Sequence, residues 1–346
     1  MNVLIANNMS PFVRGGAEEL ADHLCAHLNN TPGVQAELLR IPFAWEPFER
    51  LPQEILFNRM LRLQNVDRMI ALKFPAYFIP HETKVFWLLH QYRQAYDLRE
   101  RGQSNIPGTA RGEEVLGLIR RSDNEAFSSA HKIFANSEVT RKRLKSYNGF
   151  DAEVLMPPLN HPELFENRGD DGYLFAGGRI NAGKRQHLLV EAMGLVRSTA
   201  KLIIAGPPDT PQDAERLLEI VQRLNLQGRV VLDFGYHPTS RIAEYVNHAT
   251  ACAYLPVDED SVGYVTMEAI AASKPVITLS DSGGILQLVR NRETGYVPEP
   301  NVDAIARSID ALLLKPSRSA RMGRAAKSLW DSLGVRWPNT INKLLS

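Results

Sequence analysis

The stretch YLFAGGRINAGKRQHLLVEAMGLVRSTAKLIIA, Tyr173 to Ala205, decides the fold. Tyr173 to Ala176 is a short apolar run that ends in Gly177-Gly178, Lys184 to Val196 reads as a helix, and Ala200 to Ala205 is a second apolar run. A strand, a helical crossover and a second strand within about 30 residues make a βαβ unit. Its two strands are parallel and lie in a sheet that is covered on its faces.

Working outward, the same alternation fills the chain. Downstream, the pattern predicts a helix over Pro211 to Leu224, a strand over Arg229 to Phe234, a helix over Ser240 to His248 and a strand over Thr250 to Leu255. Upstream, it predicts strands at Asn2 to Asn7, Val34 to Ile41, Asp67 to Leu72, Val85 to His90, His131 to Ala135 and Ala152 to Leu155. Helices are predicted at Ala17 to Asn29, Arg111 to Ser129 and Val139 to Tyr147, with further helices from Val302 onward. Met156-Pro157-Pro158 and His161-Pro162 interrupt the series and mark a linker. The expectation is an α/β protein of two Rossmann-like halves joined near residue 160.

Composition agrees with an ordinary globular chain. The 346 residues are enough for two domains, with 44% hydrophobic and 23% charged residues. A net charge of +1 gives no global field that would attract nucleic acid. The two cysteines, Cys25 and Cys252, stand far apart among apolar residues and offer neither a disulfide framework nor zinc spacing. That usage suits a reducing compartment, and with no apolar run of membrane-spanning length the expected location is the cytoplasm.

Four segments carry candidate chemistry. In the first, Gly178, Arg179 and Lys184 lie between a strand end and a helix start, where backbone N–H groups and two cations suit a diphosphate. The ordinary alternative is a glycine turn with solvated basic residues. In the second, Val257 to Thr278, three acids (Asp258, Glu259 and Asp260) precede the turn at Gly263, and Glu268 follows on a helix. Asp260 and Glu268 have seven residues between them, so one loop carboxylate and one helix carboxylate could hold two hydroxyl-bearing parts of one ligand, such as a sugar attached to a nucleotide. Asp258 and Asp260 also match a metal-binding Asp-x-Asp pattern, but their position late in the chain, ahead of the Glu268 helix, argues against that use. In the third, Arg14-Gly15-Gly16-Ala17-Glu18 joins the first strand to the first helix without a G-x-G-x-x-G fingerprint, which disfavours a dehydrogenase. In the fourth, His90 ends a strand, on the side where open α/β sheets bind ligands. A basic run, Arg141-Lys142-Arg143-Lys145, is chiefly a solvated helix face, with contact to an anionic membrane surface as the sharper alternative.

Together these segments resemble the retaining nucleotide-sugar glycosyltransferases of family 4, which have the GT-B fold. Gly178, Arg179 and Lys184 match a Gly-Arg…Lys element, and Glu268-Ala269 match the second half of a Glu-x7-Glu element. Asp281-Ser282-Gly283-Gly284 and Gly295-Tyr296-Val297 resemble the closing pattern, Gly15-Gly16-Ala17-Glu18 the N-terminal glycine loop, and Ala135-Asn136-Ser137 a step into a helix. The first carboxylate at the strict spacing is Asp260 rather than Glu, with Glu259 one residue early.

The resemblance implies two Rossmann-like domains facing each other across a cleft. These are an acceptor-side domain over 1–160, a nucleotide-sugar domain over 161–330, and a terminal helix over 331–346 that packs back on the first. It implies transfer of a hexose-type sugar from a UDP- or GDP-linked donor to a glycan or lipid-linked glycan, as in bacterial polysaccharide biosynthesis, with retained anomeric configuration and neither metal nor cofactor. Arg179, Lys184, Asp260 or Glu259, and His90 would be catalytic. Gly15, Gly16, Gly178, Ser261, Gly263, Tyr264, Val265 and Glu268 would bind the donor. Peripheral contact with the inner membrane would accompany a lipid-linked acceptor. The competing functions are a nucleotide-sugar 2-epimerase and a non-catalytic sugar-nucleotide binding protein.

Overall fold

The computed structural model describes residues 1–346 and divides into two compact units. Unit 1 comprises Met1–Pro158 with Arg336–Ser346, and unit 2 comprises Leu159–Val335.

Unit 1 runs β1 (Asn2–Met9), α1 (Gly16–Asn29), β2 (Gln35–Pro42), α2 (Leu51–Met60), β3 (Arg68–Lys73), β4 (Lys84–His90), α3 (Asp97–Glu100), α4 (Ala110–Ser128), β5 (Lys132–Ala135), α5 (Glu138–Asn148) and β6 (Glu153–Val154). The six strands form a parallel sheet in the order β2-β1-β3-β4-β5-β6. On β4, Val85, Trp87 and Leu89 belong to one core cluster and Phe86 and Leu88 to another, so both faces of the strand are covered. Such a strand has no reason to alternate polar with apolar, which explains the unbroken VFWLL. Helix α5 is bounded by Ser137, whose hydroxyl accepts from the Thr140 N–H, and by Gly149 in the left-handed region.

Unit 2 runs β7 (Tyr173–Gly177), α6 (Gln186–Met193), β8 (Lys201–Gly206), α7 (Pro211–Arg223), β9 (Val230–Phe234), α8 (Thr239–His248), β10 (Ala251–Ala253), α9 (Tyr264–Ala271), β11 (Val276–Ile277), β12 (Gly295–Tyr296), α10 (Val302–Leu313) and α11 (Pro316–Ser332). Its six strands are also parallel, in the order β12-β11-β10-β7-β8-β9. The βαβ unit expected over Tyr173 to Ala205 is present as β7, α6 and β8. The helix begins two residues later than expected, at Gln186, because Arg185 breaks the run in a left-handed conformation.

The last helix, α12 (Trp337–Leu345), belongs to unit 1. Trp337, Ile341 and Leu344 repeat at helical spacing and are buried. The Trp337 ring stacks on His27 at 4.5 Å, and Arg68 donates to the Leu344 carbonyl at 3.0 Å. No helix is long and apolar enough to cross a membrane.

Candidate functional site

In unit 2 the carboxyl ends of the central strands bring the sequence-selected residues of that half together. Lys184 closes a short 3-10 turn, Ala182–Lys184, whose start is capped by the Asn181 side chain. Its ammonium donates to the Tyr254 hydroxyl at 2.7 Å and forms an ion pair with Glu259. Burial by itself would lower the Lys184 pKa. Tyr254 and Glu259 outweigh it, so the pKa is raised and the group is a cation at neutral pH. Arg179 is more exposed, with one guanidinium nitrogen 3.4 Å from Asp209.

The acidic loop is tied to the backbone of Asp281–Gly284. Asp258 N–H donates to Asp281 O at 2.8 Å, Glu259 N–H to Ser282 O at 3.1 Å, and Gly284 N–H to Glu259 O at 2.8 Å. This pins the turn so that Glu259 reaches Lys184, whereas Asp260 is 8% exposed. Spacing favoured Asp260 for the loop carboxylate. Glu259 is the acid that the fold sets beside the cation.

Gly283 is indispensable to that arrangement. It holds φ of +80°, and a Cβ there would overlap the Glu259 carbonyl oxygen. Gly283→Ala is expected to destabilise the protein by about 2–4 kcal/mol, from the left-handed backbone and the overlap together. Gly228, with open space around it, is the control, and alanine there should change stability by less than about 0.5 kcal/mol in urea unfolding.

Gly263 caps α9 at φ of +75°, directly against the Tyr254 ring. Ser261, Tyr264 and Val265 flank it, and a Cβ on Gly178 would lie 3.3 Å from Val265, so the two glycine turns adjoin. Glu268 sits one turn further along α9, half-buried. Burial pushes its carboxyl up to about 7, and neither a cation nor a hydrogen bond offsets that shift. No protein group donates to this carboxylate, so its oxygens are open to the hydroxyl groups of a ligand.

Sequence reading missed Arg185 and Tyr254, and quoted Asp281 only as part of the closing pattern. Arg185 is buried, donates to Leu255 O at 2.8 Å and Pro256 O at 2.6 Å, and forks onto Asp281 at 2.8 and 2.7 Å. It fastens the acidic loop to α6, and the Arg185 guanidinium holds the Asp281 carboxyl below its usual range. The Lys-Pro step after α9 is also structural. Lys274 is buried and donates to Asn167 Oδ1 at 2.8 Å and Gly169 O at 2.7 Å. No group of three or more His, Cys, Asp or Glu side chains is arranged to hold a metal ion.

In unit 1 the selected residues gather at the carboxyl ends of β1, β3 and β4. Gly15 N–H donates to Glu18 at 3.0 Å, Glu18 pairs with Lys73 at 3.0 Å, and Lys73 is in register with His90. Gly16 opens α1. His90 Nδ1 donates to the Gln91 carbonyl at 2.7 Å, which directs Nε2 away from that contact. Asn7 on β1 is 1% exposed, and neither its side-chain nitrogen nor its oxygen has a partner. Three of the four basic residues of the run on α5 lie beside carboxylates, Lys145 being the exception. Arg141 pairs with Glu138 and Asp151, Lys142 lies 4.0 Å from Glu138, and Arg143 lies 3.4 Å from buried Asp97.

Comparison with known proteins gives this geometry a family. The sequence model of the glycosyl transferases group 1 family matches residues 160–329. Human alpha-1,3/1,6-mannosyltransferase ALG2 is 26% identical over 223 residues, covering 57% of this chain and 53% of that protein. Alpha-maltose-1-phosphate synthase of Mycolicibacterium smegmatis is 30% identical over 195 residues, covering 52% and 50%. The GDP-mannose-dependent alpha-(1-6)-phosphatidylinositol monomannoside mannosyltransferase of Mycobacterium tuberculosis is 23% identical over 287 residues, covering 80% and 72%. The chain thus spans about half the length of the first two of these relatives. Among solved structures, Anabaena Alr3699/HepE in complex with UDP and glucose superposes with a TM-score of 0.74 at 16% identity, covering 100% of this chain and 98% of that one. Both units therefore have the Rossmann-like fold of GT-B proteins. The second unit, over residues 160–329, is thus that of a group 1 glycosyl transferase.

Proposed function

We propose that this chain is a retaining, metal-independent glycosyltransferase of family 4. It moves a hexose-type sugar from a UDP- or GDP-linked donor to a glycan or lipid-linked glycan. The observation that carries the proposal is the pairing of unlike charges in unit 2. Lys184 is a held cation at a glycine turn, and Glu268 is a half-buried carboxylate to which no protein group donates. A nucleotide diphosphate sugar answers both, with phosphates for the cation and ribose hydroxyls for the acid.

As the bond from C1 to the diphosphate oxygen breaks, negative charge grows on the leaving group. Lys184 and Arg179 stabilise that charge, and the N–H groups at the start of α9 assist. Glu259 holds donor-sugar hydroxyls while keeping Lys184 in place, and Asp260 shapes the turn beneath it. The acceptor oxygen attacks C1 on the face the diphosphate leaves, and its proton passes to the departing phosphate oxygen. Bond making and proton transfer on one face retain the anomeric configuration, and no covalent nucleophile takes part. In unit 1, His90 Nε2 accepts from a sugar hydroxyl, and the Gly15-Gly16 turn lets the substrate approach the backbone. The named activities of the relatives, mannosyl transfer among them, support a hexose donor and a glycan or lipid-linked acceptor.

A thermal-shift screen against UDP-, GDP- and ADP-sugars tests the donor. Ligand at about 100 times its Kd adds about 2.7 kcal/mol of stability. Transfer from the stabilising donor should persist in excess chelator. Loss of activity there, with rescue by Mn²⁺, would refute metal independence. Donor turnover without acceptor, with solvent deuterium entering the sugar, would identify a 2-epimerase instead.

A further inference from the structure

A second polar site lies in unit 2 at the open edge of its sheet. Edge strand β12, the turn before it and the facing sides of α10 and α11 enclose a cavity of about 690 Å³. Four of its lining residues are arginines, Arg292, Arg307, Arg318 and Arg321, and none is acidic. Val297, Pro298, Ala304, Ala311 and Met322 contribute apolar lining. It shares no lining residue with the Lys184–Glu268 site.

Arginines without a carboxylate partner occur elsewhere on the surface, Arg121, Arg216 and Arg324 among them, and what marks these four is that they line one concavity. Arg292, Arg307 and Arg321 form no ion pair and no side-chain hydrogen bond, and Arg318 donates only to the Tyr296 hydroxyl, at 3.1 Å. Glu293, next to Arg292 in sequence, is engaged by Arg290 at 3.2 Å. Four cations converging on one concavity without a counter-charge raise its potential and draw in an anion. Guanidinium forks match phosphate oxygens two at a time, which an ammonium cannot do. The presenting elements are also fixed. The turn bearing Arg292 is closed by its N–H on Gly295 O at 2.7 Å, by the Arg290 N–H on the Thr294 hydroxyl at 2.7 Å, and by the Val297 N–H on Asn291 Oδ1 at 3.2 Å.

We propose that this cavity binds a phosphate ester, with the phosphate among Arg292, Arg307, Arg318 and Arg321 and the organic body against the apolar lining residues. The cavity volume lies in the range of ordinary small-molecule sites and far exceeds a bare phosphate. The phosphate is borne either by an anionic lipid headgroup or by a soluble phosphorylated compound, and the two sources share the recognition chemistry.

The test compares the wild-type chain with Arg307→Ala/Arg321→Ala, exposed positions that should leave the melting temperature unchanged. Inorganic phosphate is titrated into both proteins by calorimetry. Both are also floated with phosphatidylcholine vesicles that contain or lack phosphatidylglycerol. The wild type should bind phosphate with roughly millimolar affinity, and the double variant at least tenfold more weakly. Arg307→Lys/Arg321→Lys should fall between them, because charge remains and the fork is lost. Arginine-dependent flotation that requires phosphatidylglycerol would assign the phosphate to a lipid. Arginine-dependent phosphate binding without flotation would assign it to a soluble ester. Equal behaviour of the wild type and the alanine variant in both arms would overturn the proposal, and so would binding of neither probe by the wild type. Donor binding at Lys184 does not enter these readouts, since both proteins retain it.

Discussion

Lys184→Ala is expected to lower the rate of sugar transfer by roughly 10²- to 10³-fold, the loss seen when one preorganised donor to a developing oxyanion is removed. The effect should fall on turnover more than on donor KM, because charge on the departing diphosphate exceeds that on the bound donor. Lys184 sits within reach of both Tyr254 and Glu259, so its position is set before any donor arrives. Stability should change little, since Glu259 remains partly solvated and loses only a partner. Lys184→Arg keeps the charge but cannot occupy the same point between Tyr254 and Glu259, and should recover only part of the rate. Near-wild-type turnover in purified Arg179→Ala/Lys184→Ala would remove both residues from the mechanism.

Glu268→Gln should move two observables in opposite directions. The folded-state pKa of Glu268 is about 7, above the ordinary value of 4.5. The folded protein therefore holds this proton more tightly than the unfolded chain does. The resulting stabilisation is fully present below about pH 4.5 and is lost as pH rises through 7. Glutamine removes the titration. At pH 8 the variant should be more stable than wild type by on the order of 3 kcal/mol, with the two converging near pH 4. Buried Asp123, held by Tyr77 and Tyr96, also has its pKa raised to about 7, but it is common to both proteins and cancels in the comparison. Nucleotide affinity at pH 8 should fall by about 10- to 100-fold, because hydrogen bonds to a carboxylate are stronger than those to an amide. A variant that gains stability and binds nucleotide undiminished would refute the ribose contact.

How much of this could be read from the sequence depended on the residues concerned. Parallel strands buried on both faces announce themselves as apolar runs, and KVFWLLH or AKLIIAG leaves little choice. Short edge elements do not. β12 is two residues long, Gly295–Tyr296, and is held by neighbours rather than by its own composition. Helix α2 was overlooked because Leu51–Met60 follows prolines and carries no sustained apolar face. Lys184 and Glu268 were found because a cation after a glycine turn and a carboxylate early in a helix are local features. Arg185 was not, since nothing in Gly-Lys-Arg tells which basic residue turns inward. That outcome rests on a left-handed backbone at Arg185 and on carbonyls and a carboxylate 70 to 96 positions away. The choice between Glu259 and Asp260 is of the same kind, because the turn conformation is imposed by Asp281–Gly284.

The terminal helix has a consequence for how the molecule can be taken apart. Residues 336–346 complete unit 1, while the 177 residues before them, Leu159–Val335, are unit 2. No single cut of the backbone separates the halves. A clone ending at Pro158 would expose the surface that Trp337, Ile341 and Leu344 cover. Unit 2 is a contiguous gene segment, whereas unit 1 in one piece requires a rearranged reading frame, with α12 grafted ahead of β1 or behind β6.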